Sequence, residues 1–119
     1  MDLRLRIRTH NEVVTVEVGG EIDLHSAPQL RAELVKAAEN ARPRIVVDLA
    51  DVTFIDSTGI GVLVGGLKRA REKGGSLAFS SVQPRVKRVL EITGLLRALP
   101  LYASREAAQK SDRTFGERN

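Results

Sequence analysis

RIVVDLADVTFIDSTGIGVLVGGLKRAREK, residues Arg44–Lys73, is the stretch from which the fold is read. Ile45, Val46 and Val47 form a short apolar run without alternation, the pattern of a strand covered on both faces. Ala50–Ile55 reads as the loop leaving that strand. Beyond it Ile60, Leu63, Val64, Leu67 and Ala70 recur at the spacing of one helical face. Asp56, Ser57 and Thr58 head that run as N-cap residues, because such side chains accept the amide hydrogens that a first helical turn leaves unpaired. A small hydroxyl residue, Ser57, is thus expected at the positive end of a helix, just past a buried strand.

The flanking sequence repeats the theme. Leu3, Leu5 and Ile7 alternate with Arg4, Arg6 and Arg8, and Val14, Val16 and Val18 alternate with Thr15 and Glu17. Two half-buried antiparallel strands follow from this, with Thr9–Glu12 as their turn. The arginines read as a solvated sheet face or as an anion-binding stripe, the former being the commoner use. Gly19–Asp23 leaves the second strand. Ser26 starts a helix with Pro28 in its first turn and Gln29 at the capping-box position. Leu30, Leu34, Ala37 and Ala41 face the core, and Arg42-Pro43 ends the helix.

After the central helix, Gly74-Gly75 provides the stop. Ser76–Ser80 reads as a strand and Ser81–Thr93 as a helix with Pro84 early and Val86, Val89 and Leu90 inward. Gly94 closes it, Leu99–Tyr102 is a last strand, and Ser104 caps a short helix to about Lys110. Ser111–Asn119 reads as a charged, disordered tail. Strands alternating with helices predict an α/β domain over residues 1–110, with a mostly parallel sheet and an antiparallel opening hairpin.

Composition narrows the function. The 119 residues suit one domain, and 42% apolar content is enough for a core. No run of about 18 apolar residues marks a membrane span. The opening residues lack a signal-peptide hydrophobic run, and cysteine is absent, so a cytoplasmic location is expected. The net charge of +4 raises the question of acidic partners. With 3% aromatic residues, single-strand binding by base stacking is disfavoured.

No cofactor or metal is expected. His10 and His25 fit no ligand motif, and Asp48, Asp51 and Asp56 read as turn and cap residues. The glycines from Gly59 to Gly66 match neither a Walker loop nor GxGxxG. Ser57 lies in I-D-S-T-G, not G-x-S-x-G, and although His25 is open as a base, nothing in the sequence recommends it, so an enzyme is not expected. As a phosphate acceptor Ser57 is better suited: a phosphoryl group adds about −1.5 to −2 charges, and a helix N-terminus favours anions.

VEVGGEID, SAPQLRAEL, the D-S-T-G-I-G block and RVLEITGL, in this order and spacing, resemble the STAS-domain anti-sigma factor antagonists of bacteria. The likeness runs from about Met1 to Lys110 and is greatest to actinobacterial members of developmental or stress responses. The resemblance implies partner switching. The unmodified antagonist binds an anti-sigma factor and so releases a sigma factor. The anti-sigma factor is a serine kinase that phosphorylates the residue matching Ser57, and a metal-dependent serine phosphatase resets the switch. Asp23 and Asp56 match residues that support the transfer, and Thr58 is a second, less favoured hydroxyl. Stand-alone length without a membrane span points away from the transporters that also carry STAS domains.

Gly61, Gly65 and Gly66 each cost about 1 kcal/mol relative to Ala in a helix, which calls for a compensating role. Ser57, Gly61, Gly65 and Lys68 fall on one stripe, flanked by Thr58 and Val62. That stripe is read as a partner-binding track, and the alternative is room for a neighbouring element of the same domain. The competing function is a nucleic-acid or acidic-partner binding module without a switch, carried by Lys68, Arg69, Arg71, Lys73, Arg85, Lys87 and Arg88.

Overall fold

The computed structural model describes residues 2–110; the tail reading for residues 111–119 lies outside them, as does Met1. The elements run β1 (Leu3–His10), β2 (Val13–Ile22), α1 (Ala27–Ala37), β3 (Arg44–Ile55), α2 (Ser57–Glu72), β4 (Ser76–Ser80), α3 (Pro84–Ile92) and β5 (Leu101–Tyr102). A last helical segment, α4, covers residues 105–110. The five strands lie in the sheet in chain order. β1 and β2 are antiparallel, and every later pairing is parallel.

This order explains the layers. Each parallel pair is joined by one helix, and right-handed crossovers that all advance in the same direction put their helices on the same face. Accordingly α1, α2 and α3 bury Leu30, Leu34, Leu63, Leu67, Val86 and Leu90 against Val16, Val47, Leu49, Leu77 and Phe79. The opposite face carries a smaller cluster, in which Ala108 of α4 meets Val13, Val46 and Ala78.

Several boundaries differ from the sequence reading. Ala50–Ile55 is not a loop: β3 continues to Ile55, and β2 continues through Gly19 and Gly20 to Ile22. The register shifts twice between them, so that Glu17 and Gly19 face Asp48 and Asp51, and Gly20 and Glu21 face Val52 and Phe54. Each shift adds a residue to β3 and breaks alternation. Its buried residues then fall at Leu49, Val52 and Ile55, a spacing of three that disguises a bulged strand. Gly20 suits this stretch with φ of +96° and with no room for a side chain, since a Cβ would run into the Asp2 carbonyl oxygen.

The opening turn is shorter than Thr9–Glu12. Asn11 and Glu12 alone form it, both at positive φ, as a tight two-residue hairpin requires. Ala41 is exposed and Ala38 takes its place in the core, because α1 ends at Ala37. The capping box at Ser26 and Gln29 does not form; the Ser26 hydroxyl donates to the Glu21 carbonyl at 2.7 Å instead. α3 begins at Pro84, since Ser81 sits at φ +59° and cannot join a helix. β5 is confined to Leu101–Tyr102, with Leu99 buried as a loop residue.

Candidate functional site

β2 and β3 end side by side, Ile22 opposite Ile55, and the two segments that leave them are bound together by Asp56. Its amide donates to the Ile22 carbonyl at 3.1 Å. Its Oδ1 accepts the Gly59 amide at 2.9 Å, and its Oδ2 accepts the Leu24 amide at 3.0 Å. One carboxylate therefore caps α2 and holds the β2–α1 loop against it. The cap is Asp56, not Ser57, so the Ser57 hydroxyl is not used in starting the helix.

The loop beyond β2 has its own carboxylate lock. Asp23 Oδ1 accepts the amides of His25 and Ser26 at 3.0 and 2.9 Å, and the Asp23 amide donates to Ser26 Oγ at 2.9 Å. The Ser26 amide, first among these contacts, holds the Asp23 carboxyl below its ordinary value, so it is ionised at neutral pH. Asp23 and Asp56 are thus brought to one end of the molecule, as parts of two linked turns. His25 reaches Asp23 through its backbone. Among the described residues the hydroxyls of Ser57 and Thr58 have no hydrogen-bond partner, and both residues are exposed.

Gly59 explains how the head of α2 comes so close to the strand ends. A Cβ there would lie 2.7 Å from Ile22 Cγ2 and 2.8 Å from Ile55 Cγ1. Gly66 serves similarly, since its Cβ would lie 2.9 Å from Leu34 Cδ1 on α1. Gly61 and Gly65 differ, because a Cβ on either would meet nothing within 4 Å. The predicted track of Ser57, Gly61, Gly65 and Lys68 is therefore the outward side of α2, with Val62 half-buried beside it. The Gly66 side is inward.

Two further features emerge only in the folded chain. Leu24 and Phe54 are large apolar side chains with 64% and 46% exposure, on the two segments that Asp56 joins. An apolar residue between the turn formers Asp23 and His25 was the available hint. The second feature is a charged clamp on the other sheet face. Arg105 Nη2 lies 2.6 Å from Glu17 Oε1 and 2.7 Å from Asp48 Oδ2. Asp48 first, and Glu17 after it, hold the guanidinium above its ordinary value. Asp48, Asp51 and Asp56 are not a cluster: Asp48 joins the clamp, Asp51 is exposed, and Asp56 caps α2. The basic residues of α2 and α3 are mostly exposed, and Lys73 Nζ donates to the Glu39 carbonyl at 3.1 Å.

Known proteins resemble this chain over most of its length. The model of the STAS domain matches residues 4–108. The chain is 37% identical over 106 residues to an anti-sigma-B factor antagonist of Bacillus subtilis, covering 89% of this chain and 96% of that one. It is 34% identical over 103 residues to an anti-sigma F factor antagonist of Paenibacillus polymyxa, covering 86% and 88% respectively. The crystal structure of an anti-sigma factor antagonist from Mycobacterium paratuberculosis superposes with a TM-score of 0.84 at 28% identity, over 94% of this chain and 95% of that one.

Proposed function

This chain belongs to the STAS domain family, and from that premise we propose that it is an anti-sigma factor antagonist controlled by phosphorylation of Ser57. In the unmodified state it binds an anti-sigma factor and thereby frees a sigma factor. The anti-sigma factor is its serine kinase, and a metal-dependent phosphatase restores the unmodified state. The chain acts as ligand and substrate in the cytoplasm and catalyses nothing itself. The relatives' function supports the binding role. No helix among the described residues is long and apolar enough to cross a membrane.

The observation that carries the switch is an exposed Ser57 as the first residue of a helix whose cap is a different residue. A capping serine would have its oxygen committed to the helix, whereas this one is open to a kinase. Asp56 already holds the Gly59 amide, and the amides of Ser57 and Thr58 remain without partners among the described residues. A phosphoryl group on Ser57 can rest on those two amides in the free protein. Against a docked partner the same group is desolvated beside the Asp56 carboxylate. A charge buried without a counter-charge costs several kcal/mol, equivalent to a loss of about a hundredfold or more in affinity.

Incubation with the cognate anti-sigma factor and ATP, followed by mass mapping, tests this reading. Phosphate is expected on Ser57, with binding to the anti-sigma factor reduced at least about a hundredfold. Modification confined to Thr58, or full binding by the phosphorylated form, contradicts it. Asp23→Ala is expected to slow the transfer while the domain stays folded. A salt-dependent shift of duplex DNA would favour the basic-module reading instead.

A further inference from the structure

We propose that the outer edge of β1 is a second interaction surface, which takes an extended acidic segment of a partner as a sixth strand of the sheet. It is independent of the Ser57 switch. β1 is an edge strand: it pairs with β2 over all eight of its residues, and among the described residues its other side has no strand. An open edge of that length presents a row of unpaired amides and carbonyls, a template for an added strand.

The side chains say which strand fits. Arg4, Arg6 and Arg8 share one face of β1, and Leu3, Leu5 and Ile7 share the other. Arg8 is paired with Glu17 at 3.5 Å. Arg4 and Arg6 are exposed and have no ion-pair partner among the described residues. They line a cleft of about 380 Å³ with Glu17, Asp48, Asp51 and Arg105. Glu17 and Asp48 are already taken by Arg105. The Arg4 guanidinium leans inward over Gly19 on the side of Asp51. Arg6 is therefore the open charge nearest the edge, and Arg4 is a second cation on the same face, with no ion pair among the described residues to hold it there. On the opposite face Ile7 is 43% exposed, beyond the reach of the helical layer.

Residues directly across from each other on adjacent strands interact, favourably for opposite charges and unfavourably for like ones. A strand alternating Asp or Glu with apolar residues would set its carboxylates against Arg4 and Arg6 and its apolar side chains against Leu5 and Ile7. A second copy of this chain is a poor occupant, because its own arginines would face these.

A labelled peptide alternating Glu and Val, blocked at both ends, tests the proposal on the full chain beside a Lys–Val counterpart. The Glu–Val peptide is expected to bind, to weaken as salt rises, and to slow hydrogen exchange of β1 amides. Arg4→Glu with Arg6→Glu should weaken it at least about tenfold and favour the Lys–Val peptide. Equal binding of both peptides, or protection confined to other elements, overturns the proposal. So does β1 protection that grows with protein concentration without peptide, the mark of self-pairing. If the double variant fails to fold, the exchange map of the unaltered chain decides alone.

Discussion

The four glycines of α2 make two pairs with opposite surroundings. Gly59 and Gly66 face inward, where an added Cβ would collide with Ile22, Ile55 and Leu34. Gly61 and Gly65 face outward, where it would touch nothing. All four weaken the helix by about the same amount in isolation, about 1 kcal/mol relative to Ala. The inward pair is offset within the domain by close approach of α2 to β2, β3 and α1. For the outward pair nothing in the domain itself provides an offset. A structural cost without a structural return directs attention to a partner, and the outward pair runs along the helix from Ser57.

Substitution can break this contrast most forcefully on the inward side. Gly59→Leu and Gly66→Leu each force a large side chain into occupied space. Overpacking of that kind costs about 1–3 kcal/mol or more, and a Cβ at 2.7–2.9 Å already needs its neighbours to move. Both variants are expected to show a clearly lower urea midpoint, or not to fold. Unchanged stability in either would erase the distinction between the pairs.

On the outward side the same change should leave the fold alone. Gly61→Leu and Gly65→Leu are expected to keep or raise the melting temperature, because the helix gains roughly 1 kcal/mol in propensity. Their affinity for the anti-sigma factor should nevertheless fall by at least about tenfold, or ~1.4 kcal/mol. Calorimetric titration beside thermal melts separates the two effects. Unfolding of both would mean that the glycines serve internal packing after all.

The finest test concerns the loop that Asp56 holds to the head of α2. The carboxyl of Asp23 is more acidic folded than its ordinary value of 3.8, so folding favours its ionised form. Its contribution is complete above that value and is lost as pH falls through the lower folded one. Urea midpoints of the unaltered chain and Asp23→Ala should therefore differ by a constant amount near neutral pH and draw together as pH falls from about 3.8 downward. A constant difference across that range would show that the carboxylate's charge is not what secures the turn.

The sequence made α2 legible because its inward residues obey one period and Gly74-Gly75 marks its end. The family resemblance likewise singled out the segment that carries Asp56 and Ser57. β3 was legible only to its midpoint. Its burial at Leu49, Val52 and Ile55 reflects bulges against β2, and a bulge is a property of two strands that one strand's pattern cannot announce. The Ser26 hydroxyl resembled a cap from its neighbours alone, yet the Glu21 carbonyl lies closer at hand. Arg105, Glu17 and Asp48 look like ordinary surface charge in sequence, since their association depends on where the sheet brings α4. Leu24 stands out only once Asp56 is seen to grip its amide.

The spatial order of the strands has a consequence for synthesis. On the ribosome each strand emerges to find its sheet neighbour already made, starting from the β1–β2 hairpin, and no strand waits for a distant mate. The exception is α4. Arg105 must return to Glu17, 88 residues earlier. The face of the sheet opposite α1, α2 and α3 therefore stays bare, with Glu17 held only by Arg8 and Asp48 without its cation, until α4 has been made and packs there.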